Sequence, residues 1–312
     1  MLLLGRMEKP SFLPIVKFVA NPMKIPFYFV DVFAAEPLTG NPLAVVAGGE
    51  SLPVDLLRRI AREFNQSETT FVMSPTLAPA DWRLRSFTAA GAEVFGAGHN
   101  ALGAWWWLAE AGRLPLEQGT CIFHQQIGNS VLPVTVGDYI VMEQEAPQAR
   151  QRVESVAPLA AALGLDPRDI AVHRLPCQVV FTGAPHLLVP INDHSAVDRI
   201  QPNAPALLDV LARAGAEGCY AFSLDPRRPE ATAYARFFNP TVGIWEDPAT
   251  GTAAGPLAAH LVNHGLAPAA RPMIIEQGTA MGRTSLIRAE ASMDSVRISG
   301  RGVIVASGEL RL

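Results

Sequence analysis

Apolar and polar positions alternate along Phe27–Phe33, and short apolar runs recur at Leu43–Val46, Thr69–Met73 and Trp82–Phe87. Such alternation, and short runs rich in Val, Phe and Thr, predict strands. Pro53–Phe64 carries apolar residues at helical spacing and predicts a helix capped by Ser51. The order then returns. Strands are predicted at Gln178–Phe181 and Leu187–Val189, a helix over Pro205–Ala214 starting from Asn203 or Ala204, and strands at Tyr220–Leu224 and Ala233–Phe238. Each series passes through a Gly-rich loop (Gly96–Gly103, Pro248–Gly255) into a second helix, Ala104–Ala111 or Leu257–Asn263, with Gly112 and Gly265 at the C-terminal caps. Strands at Thr120–His124 and Ser130–Val136, then Met273–Glu276 and Ser285–Ala289, complete the two halves.

The parallel order extends to residues. Thr39-Gly40-Asn41-Pro42-Leu43-Ala44-Val45-Val46 resembles Thr182-Gly183-Ala184-Pro185-His186-Leu187-Leu188-Val189, 143 positions on. Leu57, Ala61, Arg62, Pro75, Arg85 and Phe87 match Leu208, Ala212, Arg213, Pro226, Arg236 and Phe238, all 151 positions on. A constant offset signals duplication, here of two α/β halves related by a pseudo-twofold axis. The second helices are apolar on every face: Ala101–Ala109 includes Trp105, Trp106 and Trp107, and His260 alone interrupts Ala253–Val262. A helix hydrophobic all round is enclosed, so each half reads as a sheet wrapped around a central helix. The tryptophans read as core. The expected division is residues 1–22 as an N-terminal extension, 23–150 as the first lobe and 151–312 as the second. The last strand, about 296–312, is free to return to the first lobe.

Composition narrows the function. The 312 residues carry 25 basic and 29 acidic side chains, a net charge of −4, without the basic excess of a nucleic-acid binder. Three widely spaced cysteines (Cys121, Cys177, Cys219) form no C-x-x-C, so no disulfide framework or zinc site is indicated and a reducing, cytoplasmic setting is expected. The longest apolar stretch is far shorter than a membrane span, and Glu8, Lys9 and Lys17 interrupt any signal-like run near the N-terminus.

Chemistry concentrates at the two Gly-rich loops. Helix N-termini offer unpaired N–H groups and the positive end of a dipole, which suits a carboxylate-bearing ligand; the alternative is glycine serving a tight turn only. Near the loops lie Glu93, His99, Glu246, Asp247, Thr250 and Thr252. Glu68 stands at a helix-to-strand junction as a candidate general base, with Cys219 as its counterpart at the 151-residue offset. Gly96-x-Gly98-x-x-Ala101, with Glu117 further on, matches a dinucleotide fingerprint, but no buried strand precedes it. His260 and His264 share a helix face without a third ligand, so no metal is expected. Neither G-x-S-x-G nor a P-loop occurs.

Five motifs in order carry a resemblance. They are Asp31-Val32-Phe33, Gly40–Val46, Asn65-Gln66-Ser67-Glu68-Thr69-Thr70-Phe71, Phe95-Gly96-Ala97-Gly98-His99 and Glu246-Asp247-Pro248-Ala249-Thr250-Gly251-Thr252-Ala253-Ala254-Gly255. Together they resemble the phenazine-biosynthesis PhzF-like family, of diaminopimelate-epimerase-like fold. The resemblance implies an α+β fold of two pseudo-symmetric lobes, each a barrel-like sheet around a buried helix, with the active site between them. It implies Glu68 as general acid/base, His99 and Asp247 as partners that polarise or hold the substrate, and Gly98, Gly251 and Thr252 as carboxylate binders. Three residues depart from the pattern as read: Thr252 where Ser is usual, Asn100 where Pro is usual, and Pro256 early in the second buried helix. Racemases of this fold use one cysteine in each loop, and these loops have none.

The expected activity is therefore a cofactor-independent isomerase acting on a small, cyclic, unsaturated carboxylate, as in isomerisation of trans-2,3-dihydro-3-hydroxyanthranilate. The alternatives are an epimerase of another small carboxylate, or a binding protein that keeps the cleft without turnover. A homodimer is expected from the resemblance, with no nucleic-acid or membrane partner.

Overall fold

The computed structural model describes residues 23–116, 119–171 and 175–312; the 1–22 extension and Glu117 lie outside them. The first half runs β1 (Lys24–Val32), β2 (Asn41–Ala47), α1 (Val54–Phe64), β3 (Glu68–Met73), β4 (Trp82–Thr88), β5 (Glu93–Val94), α2 (His99–Glu110), β6 (Cys121–Ile127), β7 (Ser130–Val136), β8 (Ile140–Gln144) and β9 (Gln148–Arg152). The second runs α3 (Val156–Leu163), β10 (Gln178–Phe181), β11 (Pro185–Pro190), α4 (His194–Asp198), α5 (Ala204–Ala214), β12 (Gly218–Ser223), β13 (Ala233–Asn239), β14 (Ile244–Asp247), α6 (Gly251–Asn263), β15 (Met273–Gln277), β16 (Ser285–Ala291), β17 (Val296–Gly300) and β18 (Gly302–Arg311).

Strand pairing repeats itself. β1–β2, β3–β4, β6–β7 and β7–β8 are antiparallel, while β2–β3 and β4–β6 are parallel. The second half copies this with β10–β11, β12–β13, β15–β16 and β16–β17 antiparallel, and β11–β12 and β13–β15 parallel. β8 and β17 pair antiparallel and join the halves. Each half then sends one strand across: β9 pairs with β10, and β18 returns to β1.

Both sheets enclose a helix. In α2, Ala101, Leu102, Ala104, Trp105 and Leu108 are fully buried, and in α6 so are Ala253, Ala254, Leu257, Ala258, Ala259 and Leu261. Trp105 stacks on Phe123, and its indole N–H donates to Gln125 Oε1 at 2.9 Å, so this aromatic is core. Outside each sheet pack amphipathic helices. Leu57 and Ile60 of α1 meet Phe71 and Met73 of β3, and α3 and α5 cover the outer face of β12. No helix of the described residues is long and apolar enough to cross a membrane.

Two expectations shift. The buried helices begin earlier than the glycine pattern predicts, at His99 and Gly251 rather than Ala104 and Leu257. Gly103 is a helical residue pressed against the sheet: a Cβ there would stand 2.6 Å from Val32 Cγ2 and 2.7 Å from Leu43 Cδ2. Pro256 lies inside α6 without displacing its start, though it offers no N–H to the Thr252 carbonyl. α1 is capped from Pro53 without a side-chain bond, so Ser51 is not its cap.

Candidate active site

Side chains alternate across β3. Phe71 and Met73 face α1, so Glu68, Thr70 and Val72 face α2, where Thr70 Oγ1 donates to the Asn100 carbonyl at 3.4 Å. Glu68 is the first residue of β3 and His99 the first of α2, and this shared face brings them together. Glu68 Oε2 lies 3.0 Å from His99 Nε2, with side-chain exposures of 14% and 10%. Neither atom has another partner, and the Coulombic attraction of the carboxylate is the largest influence favouring the charged imidazole.

Asp247 closes β14 of the second lobe and is held from three directions. Asn41 of β2 donates its Nδ2 to Asp247 Oδ1 at 2.8 Å and to the Ala249 carbonyl at 2.9 Å, across the lobe boundary. Thr250 Oγ1 donates to Asp247 Oδ2. Gln277 Nε2 donates to the Asp247 carbonyl at 2.7 Å, and Gln277 Oε1 accepts from Tyr220 Oη at 2.9 Å and from the Thr250 N–H at 3.2 Å. Beside Asn41, Arg283 of the second lobe donates to Asp31 Oδ1 (2.7 Å) and to the Thr39 and Gly40 carbonyls. The site therefore lies where both lobes meet.

The charges sort themselves by burial. Burial pushes the His99 imidazole down, but the Glu68 carboxylate beside it, and Asp247 further off, outweigh this and hold it above its ordinary value. Burial pushes Asp247 up to about 6, against the opposing pull of His99 and of the Thr250 and Asn41 bonds, with Glu68 adding repulsion. An imidazole raised toward its charged form by two carboxylates, one of them itself raised to about 6, is an arrangement suited to moving protons at physiological pH.

At the loops, the Gly98 N–H is not open to a ligand: it donates to Asn100 Oδ1 at 2.8 Å. Asn100 Nδ2 in turn donates to Ser86 Oγ (3.0 Å) and the Gly96 carbonyl (3.1 Å), so this departure from Pro ties the loop to β4. The first α2 bond runs from Leu102 to Gly98, leaving the N–H groups of His99, Asn100 and Ala101 without partners in the helix. In α6 the N–H groups of Ala253 and Ala254 both reach the Thr250 carbonyl, and those of Gly251 and Thr252 precede them. Thr252 is half-buried, with Oγ1 3.3 Å from His186 Nε2.

Other candidates find structural partners. Glu93 pairs with Arg85 and Glu246 with Arg236, each through two bonds of 2.8–2.9 Å, as equivalent braces under the two loops. The His264 ring packs 4.4 Å from that of His260, with its Nδ1 2.9 Å from the His260 carbonyl oxygen. No group of three or more metal-binding side chains forms among the described residues. β5, ahead of the Gly96–Gly98 loop, is two half-buried residues, not the buried strand of a dinucleotide fold. Cys219 is not the counterpart of Glu68. Thr69 pairs with Phe87, and Cys219 with Phe238, the repeat of Phe87; Cys219 thus repeats Thr69, and Gly218 repeats Glu68. Asn41, Gln277 and Tyr220 had no assigned role in the sequence, although Asn41 lies in the repeated Gly-x-Pro segment and in the Gly40–Val46 motif.

A family model described as phenazine biosynthesis-like protein matches residues 30–308. The trans-2,3-dihydro-3-hydroxyanthranilate isomerase of Pseudomonas aeruginosa is 35% identical over 298 residues, covering 92% of this chain and 99% of that one. An uncharacterised isomerase of Clostridium acetobutylicum is 32% identical over 304 residues, covering 93% and 99%. Among solved structures, a PhzF-family phenazine biosynthesis protein of Bacillus anthracis superposes with a TM-score of 0.82 at 27% identity, covering 93% of this chain and all of that one. A hydroxyproline epimerase of Agrobacterium vitis shares the fold alone, with a TM-score of 0.61 at 12% identity. Similar along nearly its whole length to isomerases and PhzF proteins, with the duplicated lobes and interlobe site described above, this chain belongs to the PhzF-like, phenazine biosynthesis-like family of isomerases.

Proposed function

We propose that the protein isomerises a small unsaturated carboxylate without a cofactor, with Glu68 as the acid/base that lifts a proton from one carbon and returns it at another. The observation that carries this reading is the 3.0 Å approach of Glu68 Oε2 to His99 Nε2, two otherwise unpartnered atoms at the lobe boundary. His99 stands beside the Glu68 carboxylate, and Glu68 is the group placed to accept the proton. Once Glu68 is neutral, the charged form of His99 is free to stabilise negative charge spread over the conjugated substrate. Asp247, held by Asn41 and Thr250, fixes the far side and adds to the upward pull of Glu68 on His99.

The carboxylate of the substrate is assigned to the helix heads. The N–H groups of His99–Ala101 and of Gly251 and Thr252, with the Thr252 hydroxyl, supply donors at the positive ends of two dipoles. Gly98 then serves as the cap residue of α2 rather than as a donor, since Asn100 occupies its N–H. The methyl group of Thr252 narrows the site relative to Ser and favours a slim ligand there. trans-2,3-Dihydro-3-hydroxyanthranilate, on which similar isomerases act by name, heads the panel to be tried. Turnover is followed by proton NMR over that compound and other cyclic unsaturated amino and hydroxy acids. The expected result is isomerisation of at least one, slowed by at least about 10³-fold in Glu68→Gln. Equal rates for wild type and Glu68→Gln would remove Glu68 from the chemistry.

A further inference from the structure

The head of α6 holds a second polar pair that the proton transfer does not use. His186, second residue of β11, lies opposite Gly218 in the parallel β11–β12 register. Gly218 takes the place that Glu68 has in the first lobe, and the space of the missing side chain is filled. A Cβ there would stand 3.1 Å from His186 Nδ1 and 2.5 Å from Phe237 Cζ. The imidazole is 2% exposed and packs perpendicular to the Phe237 ring at 4.9 Å. Its Nε2 lies 3.3 Å from Thr252 Oγ1, while Nδ1 is buried and unpartnered.

That asymmetry assigns the proton. A neutral imidazole carries one N–H. On Nδ1 it would be a buried donor with no acceptor, at a cost of about 1–3 kcal/mol; a buried bare acceptor is the better-tolerated orphan. On Nε2 the same hydrogen meets Thr252 Oγ1. Burial also pushes the imidazole down to about 4, so the ring is neutral at physiological pH. With no carboxylate on Nδ1 to steady an imidazolium, the pair is not an activated nucleophile of the triad kind.

We propose that His186 is a positioning residue: as the neutral Nε2–H tautomer it donates to Thr252 Oγ1, so the Thr252 hydroxyl hydrogen is left to donate into the site and selects an acceptor such as a carboxylate oxygen. The second half of this statement rests on the substrate role given to Thr252 above; the tautomer does not.

Two measurements on the full chain separate these parts. Long-range ¹H–¹⁵N correlation of ¹⁵N-histidine-labelled protein at neutral pH, with His186 assigned by its loss in His186→Gln, reads the tautomer directly. The Nε2–H pattern is expected; an Nδ1–H or imidazolium pattern overturns the proposal whatever the protein turns over. With a substrate in hand, His186→Leu is expected to raise KM by about tenfold, the equivalent of one lost hydrogen bond, with a smaller change in kcat. His186→Gln, whose amide can donate from the ε position, is expected to restore KM to within about threefold. A KM unchanged in folded His186→Leu, or equal in the Leu and Gln variants, would leave His186 a packing residue and overturn the proposal. If no substrate is turned over, the proposed function fails while the tautomer still decides His186.

Discussion

Burial holds the Asp247 carboxyl at about 6 where an exposed aspartate stands at 3.8, a shift on the order of 3 kcal/mol against the charged form. The sign follows from linkage. A carboxyl whose folded pKa is raised destabilises the fold as pH climbs from the unfolded value through the folded one, and the cost is complete above about 6. Asp247→Asn keeps partners for Asn41 and Thr250 and removes this cost. Urea unfolding at pH 7.5 is expected to show the variant more stable by up to about 3 kcal/mol, with the gain gone near pH 4 and turnover lost. Loss of stability at pH 7.5 would show that the charged form is favoured by its neighbours. Glu68, His99 and Asp247 stood out as titratable residues in spaced motifs. Asn41 lies in one of those motifs too, but its part is a bond to a residue more than two hundred positions away, and no local pattern records that. The Cys219 assignment failed because the offset changes by one between β3 and β4, and in a strand one residue reverses the face.

At the scale of elements, all-round apolarity marked α2 and α6 as enclosed, since a helix too short to cross a membrane has few other uses for it. Their starts were misjudged because glycine was read as loop. An enclosed helix has a second use for glycine, which is to let its backbone approach a strand. Gly103→Ala tests this. Helix propensity alone would favour Ala by about 1 kcal/mol, whereas forcing a methyl against fully buried Val32 and Leu43 costs about 1–3 kcal/mol. The expected outcome is a net loss of up to about 2 kcal/mol in chemical unfolding, with active-site titrations unchanged. A gain in stability would mean that the sheet yields.

The whole molecule is a duplication closed by exchange. The repeat was legible from offsets, and the last strand was already free to return to the first lobe; that its partner there is β1, and that β9 crosses to β10, was not legible, because strand exchange depends on pairing between distant segments. The lobes are further held by Arg283, whose partner Asp31 is 2% exposed. Arg283→Met leaves that carboxylate buried with the Leu38 N–H as a remaining donor, and a loss of about 2–4 kcal/mol is expected. Asp31→Asn in the same chain should recover most of it, which a double-mutant cycle measures; additive losses would show that the two residues act separately.

The central claim is that Glu68, backed by His99, carries a proton between two carbons of one substrate. It is tested most directly by running the reaction in D₂O and locating deuterium in the product by NMR. Wild type is predicted to incorporate solvent deuterium at the carbon that gains the proton, unless transfer is wholly internal, in which case substrate deuterated at the donor carbon delivers its label there. Glu68→Gln is predicted to bind the substrate and do neither. Label transfer or solvent exchange that persists at the wild-type rate in Glu68→Gln would contradict the account.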